Sequence, residues 1–178
     1  MANEYLHSPL DPYKFCAAGK TLSFDLPLQN MERVQEALCE TEGQLKVDLE
    51  FSYGTQRTLQ VQGRLQGQVI LECQRCLQPV RQELDSEFLW GLVTSDEAAV
   101  KLPRTHEPVF IENERLQLGS VLEDEVLLAL PLVAYHPKGE CKQYEIEQPA
   151  LEETLVATPP NNPFSALADL KHSLKKEQ

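Results

Sequence analysis

The sequence predicts an α+β fold: an antiparallel β-barrel-like sheet with two or three helices and a tethered C-terminal amphipathic helix. Three observations carry this. Apolar residues alternate with polar ones over successive stretches from Thr21 onward, the period of half-buried strands. Gly63 and Gly67 interrupt one stretch, as at a bulge or barrel corner. A helical-period segment follows a polar, proline-containing stretch near the end. The implied organisation is an N-terminal extension at 1–20, a β-rich core at 21–141, an acidic, proline-containing linker at 142–161 and a terminal helix at 162–178.

Leu22, Phe24 and Leu26 share one side of a first strand. Asn30 is a plausible N-cap for a short helix carrying Met31, Val34 and Leu38, and Gly43 stands where that helix would end. Leu45, Val47, Leu49, Phe51 and Tyr53 define the longest alternation. A turn at Gly54 and Thr55 returns the chain through Leu59, Val61 and Leu65, which reads as a hairpin. Val69 and Leu71 lead into Cys73-Gln74-Arg75-Cys76, after which Val80, Leu84, Phe88 and Trp90 suggest a further strand with one irregularity. Consecutive strands of this kind form a β-meander.

Thr94 to His106 has no buried period and reads as a surface loop, before Val109 and Ile111 mark one more short strand. Ser120 and Glu123 stand in the capping-box relation, predicting a helix start there. Leu122, Val126, Ala129 and Leu130 supply its buried stripe, Glu123, Asp124 and Glu125 complement the positive dipole end, and Pro131 stops it. Asn162 followed by Pro163 opens the last helix, with Phe164, Leu167, Leu170 and Leu174 on one face.

Charge narrows the function classes. The net charge of −12 argues against simple coating of a phosphate backbone, whose affinity comes from clustered Lys and Arg. Residues 1–81 hold 10 acidic and 8 basic side chains and residues 82–125 hold 11 and 3, so the acid excess lies in the middle. Arg57, Arg64, Arg75 and Arg81 fall in the nearly balanced first part and can be read as an RNA- or partner-facing patch, or as solvated strand residues. No stretch approaches the roughly 20 apolar residues needed to span a bilayer. With no basic-then-apolar leader at the start, a cytoplasmic, membrane-free protein is expected.

The five cysteines are odd in number and only Cys73 and Cys76 are close, a spacing suited to metal or redox chemistry more than to a disulfide framework. Between two strand patterns, this pair would occupy a hairpin turn. Zinc needs four ligands, and the compatible second pair downstream is His136 and Cys141. Cys73, Cys76, His136 and Cys141 therefore read as a structural zinc site, with a metal-free thiol cluster as the competing reading. A redox pair is disfavoured because no helix N-terminus follows Cys73. No Gly-rich phosphate loop, GxSxG elbow or HExxH helix occurs, and no catalytic residue is assigned.

Three segments, LECQRC at 71–76, EDEVLLALP at 123–131 and NPFSALADLK at 162–171, together resemble the bacterial YceD-like family, and the likeness runs from about residue 20 to the end. The resemblance implies a non-catalytic ribosome-biogenesis factor supporting synthesis, processing or accumulation of large-subunit ribosomal RNA. Its partner would be that RNA or the assembling large subunit, reached directly or through another biogenesis protein. Contacts are then expected at the four arginines and, on the terminal helix, at Asn162, Pro163, Phe164, Leu167, Lys171 and Lys175. A protein–protein adaptor and a small thiol-redox or zinc enzyme are the alternatives.

Overall fold

The structure, a computed structural model, describes residues 4–141. The linker at 142–161 and the terminal helix, with Asn162, Pro163, Phe164, Leu167, Lys171 and Lys175, lie outside the described residues.

The chain is α+β. Five strands form one sheet in chain order: β1 (Thr21–Pro27), β2 (Gln44–Tyr53), β3 (Leu59–Glu72), β4 (Pro79–Val93) and β5 (Glu107–Phe110). The first four are antiparallel neighbours, as the alternation predicted. β5 is not: it runs parallel to β4, Trp90 opposite Glu107 and Val93 opposite Phe110. A parallel neighbour needs a crossover, and residues 94–106 provide it. β1 and β5 stand at the two ends of the strand order, so the sheet is open where a barrel-like closure was expected.

Gly63 and Gly67 mark neither a bulge nor a break, because pairing of β3 with both neighbours runs through them without a skipped residue. They are points of close approach. A side chain at Gly63 would run into the Phe88 ring, and one at Gly67 into Leu45. The irregularity expected in β4 is likewise only polar: Gln82 and Ser86 occupy the inward register between Val80, Leu84 and Phe88.

The inward face carries Leu26, Val47, Phe51, Val61, Leu65 and Trp90, each at most 2% exposed. Covering it are α2 (Pro12–Ala17), set against β2 and β3, and α5 (Leu118–Ala129), set against β4. Each fully buried side chain of this kind contributes about 1.5–3 kcal/mol of transfer free energy. Two shorter helices support α5: α1 (Glu4–His7) and α3 (Glu32–Gln35). With α4 (Asp96–Ala99) in the crossover, five α-helices occur among the described residues, of which only α5 has three turns. Residues 4–20 join the core: Leu10 and Cys16 are buried, and Leu10 pairs its backbone with Leu116.

Two helix starts differ from expectation. The segment from Asn30 forms a 3-10 turn at Leu28–Asn30 followed by the single-turn α3, and beyond it the Cys39 N–H donates to the Ile70 carbonyl on β3. Ser120 is not a cap but lies inside α5, which begins at Leu118. Glu123 instead accepts from the backbone N–H and Nε of Arg33, while Arg33 also pairs with Asp124 and donates to the Ser120 carbonyl. The other end is as expected: α5 closes at Ala129, and Leu130 turns extended before Pro131.

Candidate metal centre

The β3–β4 connection is a tight turn. The Cys73 N–H donates to the Gln78 carbonyl at 3.0 Å, and the Leu77 N–H returns to the Cys73 carbonyl at 2.9 Å. Leu77 adopts φ +56°, a left-handed conformation that lets the chain reverse within five residues. Both thiols of the pair are thereby turned inward, Cys73 to 0% and Cys76 to 2% exposure.

The segment after α5 folds onto this turn. The Gln74 N–H donates to the Ala134 carbonyl at 3.0 Å, and Ala134 is buried. This pins the loop and delivers His136 and Cys141. Cys73 Sγ lies 3.7 Å from Cys141 Sγ, and Cys76 Sγ lies 3.4 Å from His136 Nδ1. All four ligand atoms fall within 4.8 Å of one another, the only such cluster among the described residues. A tetrahedral zinc with ordinary Zn–S and Zn–N bonds would set its ligand atoms roughly 3.5–3.8 Å apart, so the donor set fits the ion in number and type, and the Cys73–Cys141 and Cys76–His136 separations are close to that spacing.

The surroundings match. His136 Nε2 sits 3.1 Å from the Pro79 carbonyl, which can only accept, so Nε2 carries the hydrogen and the Nδ1 lone pair is free to face Cys76. Desolvation raises the Cys73 thiol, but the backbone N–H groups of Arg75, His136 and Cys76, with the His136 side chain, outweigh it and bring it down to about 5. Cys141 moves the other way, raised by burial and by its neighbours Cys76 and Cys73, with Arg75 opposing. The pair Cys73 and Cys141 thus favours the thiolate on Cys73 and the proton on Cys141. A low thiol value is also what a redox pair requires. Here, though, Cys73 has no solvent-accessible surface through which a substrate disulfide could approach.

Arg75 belongs to this centre. Its Nε donates to Cys141 Sγ and a terminal nitrogen to the His136 carbonyl, each at 3.2 Å, and its guanidinium lies 5.7 Å from the centre of the Tyr135 ring. The sequence offered no sign of this, since its partners lie more than sixty residues away. Arg64 and Arg57 do not converge with it. Arg64 is held by Asp85 through two hydrogen bonds of 2.8 and 2.7 Å and by Glu87 at 3.3 Å. Arg57 is exposed in the β2–β3 connection, whereas Arg75 and Arg81 lie at the far end of β3, roughly 40 Å of strand away.

One functional-looking residue escaped the sequence reading. Glu125 is 6% exposed, and its Oε2 accepts from Trp90 Nε1 at 3.1 Å beneath the sheet's β4. Its position three residues after Leu122 and next to Val126, on the apolar side of the helix, was the available signal.

Residues 61–171 match the family model described as large ribosomal RNA subunit accumulation protein YceD. A protein of that same name from Haemophilus influenzae is 38% identical over 144 residues, covering 79% of this chain and 82% of that protein. No solved structure matches the chain. With more than half its length in the family model and a relative 38% identical over 79% of it, the chain belongs to the YceD family of large ribosomal RNA subunit accumulation proteins.

Proposed function

We infer that the protein supports accumulation of large-subunit ribosomal RNA by binding, without catalysis, and that Cys73, Cys76, His136 and Cys141 hold a structural zinc. The observation that carries the functional reading is the family membership, across both the hairpin turn and the α5 segment. The zinc reading is supported by four side chains of ligand type gathered within 4.8 Å of one another, enough to fill a four-coordinate shell. A shell filled by protein leaves no position for substrate, which is how structural zinc differs from catalytic zinc. When bound, the ion would tie residues 134–141 to the β3–β4 turn. Arg75 would offset the net negative charge of three thiolates and one imidazole around a dication.

The engagement of Arg75 with the cluster and of Arg64 with Asp85 and Glu87 favours a protein contact over a direct phosphate contact through the sheet arginines. A protein–protein adaptor that reaches the RNA through an assembling large subunit is therefore the second reading. No helix among the described residues is long and apolar enough to cross a membrane. A cytoplasmic place of action suits ribosome assembly.

The test is to isolate the full chain from cells at low salt and identify what accompanies it. Large-subunit precursors should be enriched. If they are absent at every salt concentration, the reading fails. If they are present, dissociation that is steep in salt assigns direct RNA contact, and dissociation that is shallow assigns the adaptor.

A further inference from the structure

A second surface, sharing no residue with the metal centre, lies between β5 and α5. It is a groove of about 480 Å³. One wall is the whole of β5, Glu107 to Phe110, an end strand with no neighbouring strand on its outer side among the described residues. The other wall is Val121, Asp124, Glu125 and Leu128, a single stripe of the helix at the i, i+3, i+4, i+7 spacing, and Trp90 forms the floor.

Two properties of the groove point to the same kind of occupant. Its rim is apolar and solvated, with Phe110 51% and Leu128 76% exposed. Its charged side chains, Glu107, Asp124 and Glu125, are all acidic, and since Asp124 is paired with Arg33, Glu107 and Glu125 carry the charge an occupant would meet. Glu125 is the telling one. It is the one buried charged residue among those described, and Oε2 binds only the neutral Trp90 indole. Its carboxyl is pushed up by burial, with the Trp90 bond opposing and the nearby Glu107 adding to the rise. Proteins seldom bury a carboxylate beside a second one without a cation. The carboxylates do not converge tightly enough to count as an ion site, since the cysteine–histidine cluster is the only convergent ligand set found among the described residues. Cationic side chains distributed along a polypeptide fit the arrangement better than a single metal.

We propose that the β5–α5 groove binds an extended segment of a partner protein in which basic side chains alternate with apolar ones. The segment lies along the open edge of β5 and can add main-chain hydrogen bonds there. One alternate set of side chains covers Phe110 and Leu128, while the other presents ammonium or guanidinium groups to Glu125 and Glu107. The acidic groove repels RNA, so the segment's protein character follows from the charge.

Trp90 is the only tryptophan in the chain and stands in the floor, so its emission reports occupancy directly. The full-length protein is titrated at physiological salt with a tryptophan-free synthetic peptide of alternating lysine and valine. Saturable one-to-one binding is expected. Glu125→Gln keeps an acceptor for the Trp90 N–H but removes the charge, and should weaken binding roughly ten-fold. Leu128→Ser, at an exposed position that leaves the core intact, should weaken it as well. The proposal is overturned if neither variant alters the affinity, if an all-lysine peptide or a glutamate–valine peptide binds equally well, or if an RNA oligonucleotide displaces the peptide from Trp90. Zinc content does not enter any of these readouts, so the metal-centre reading stands or falls separately.

Discussion

The Pro79 carbonyl, the first residue of β4, lies 3.1 Å from Nε2 of His136, a residue that arrives from the loop beyond α5. This contact fixes which imidazole nitrogen can act as a ligand and ties that loop to the hairpin before any ion is counted. The protein as isolated without added metal should therefore contain about one equivalent of zinc by elemental analysis. Cys76→Ser and His136→Ala should lose it. Stripping the ion with a chelator should lower stability by about 4 kcal/mol where free zinc stands a thousand-fold above its dissociation constant, read by thermal unfolding with and without metal.

Arg75 contacts a ligand sulfur and a ligand's own carbonyl without being a ligand. Arg75→Gln should leave the stoichiometry at one zinc but reduce its affinity roughly 10- to 100-fold, as removal of other outer contacts does. Competition with a chromophoric chelator measures this. An unchanged affinity would return Arg75 to the role of a surface contact.

Gly63 is pinned beneath Phe88, with Leu49 on its other side. Gly63→Ala forces an aromatic ring out of a packed core and should destabilise the fold by about 1–3 kcal/mol, seen as a lower urea midpoint. Were Gly63 a flexible corner, alanine would be neutral or mildly stabilising there.

Glu125 has a carboxyl raised above its ordinary value of 4.5. A raised carboxyl is fully compatible with folding below that ordinary value, and it costs stability as pH climbs through the folded-state value. Glu125→Gln retains the Trp90 hydrogen bond and removes the ionisation. The variant should unfold at a higher temperature than the parent at pH 7, and the gap should close below about pH 4.5. A gap that is constant with pH would mean that burial leaves the Glu125 carboxyl at its ordinary value.

Much of this architecture is legible from local pattern. The inward residues of β1 to β4 alternate strictly enough to fix strand, face and order. Cys73 and Cys76 are legible as a pair because two thiols three residues apart on a hairpin turn lie close enough to share a partner. What local pattern does not encode is contact at long sequence separation. Glu123 resembles the second half of a capping box with Ser120, yet its carboxylate is taken by Arg33, 90 residues earlier. Arg75 reads as a free cation until Cys141 is brought to it, 66 residues later. The direction of β5 was hidden because four residues carry too little alternation to say which way a strand runs. Glu125 was obscured by the two acids before it, which made it look like part of a solvated run.

The short parallel end strand has a dynamic consequence. Only four residues of β5 are zipped to β4, against fourteen pairs between β3 and β4, so its amides should exchange with deuterium early, as a separately opening unit. A segment laid along that edge would slow exchange at Val109 and Phe110 while leaving the long hairpin untouched. One side of the molecule would then gain its rigidity from company, whereas the thiol-bearing turn gains its own from within.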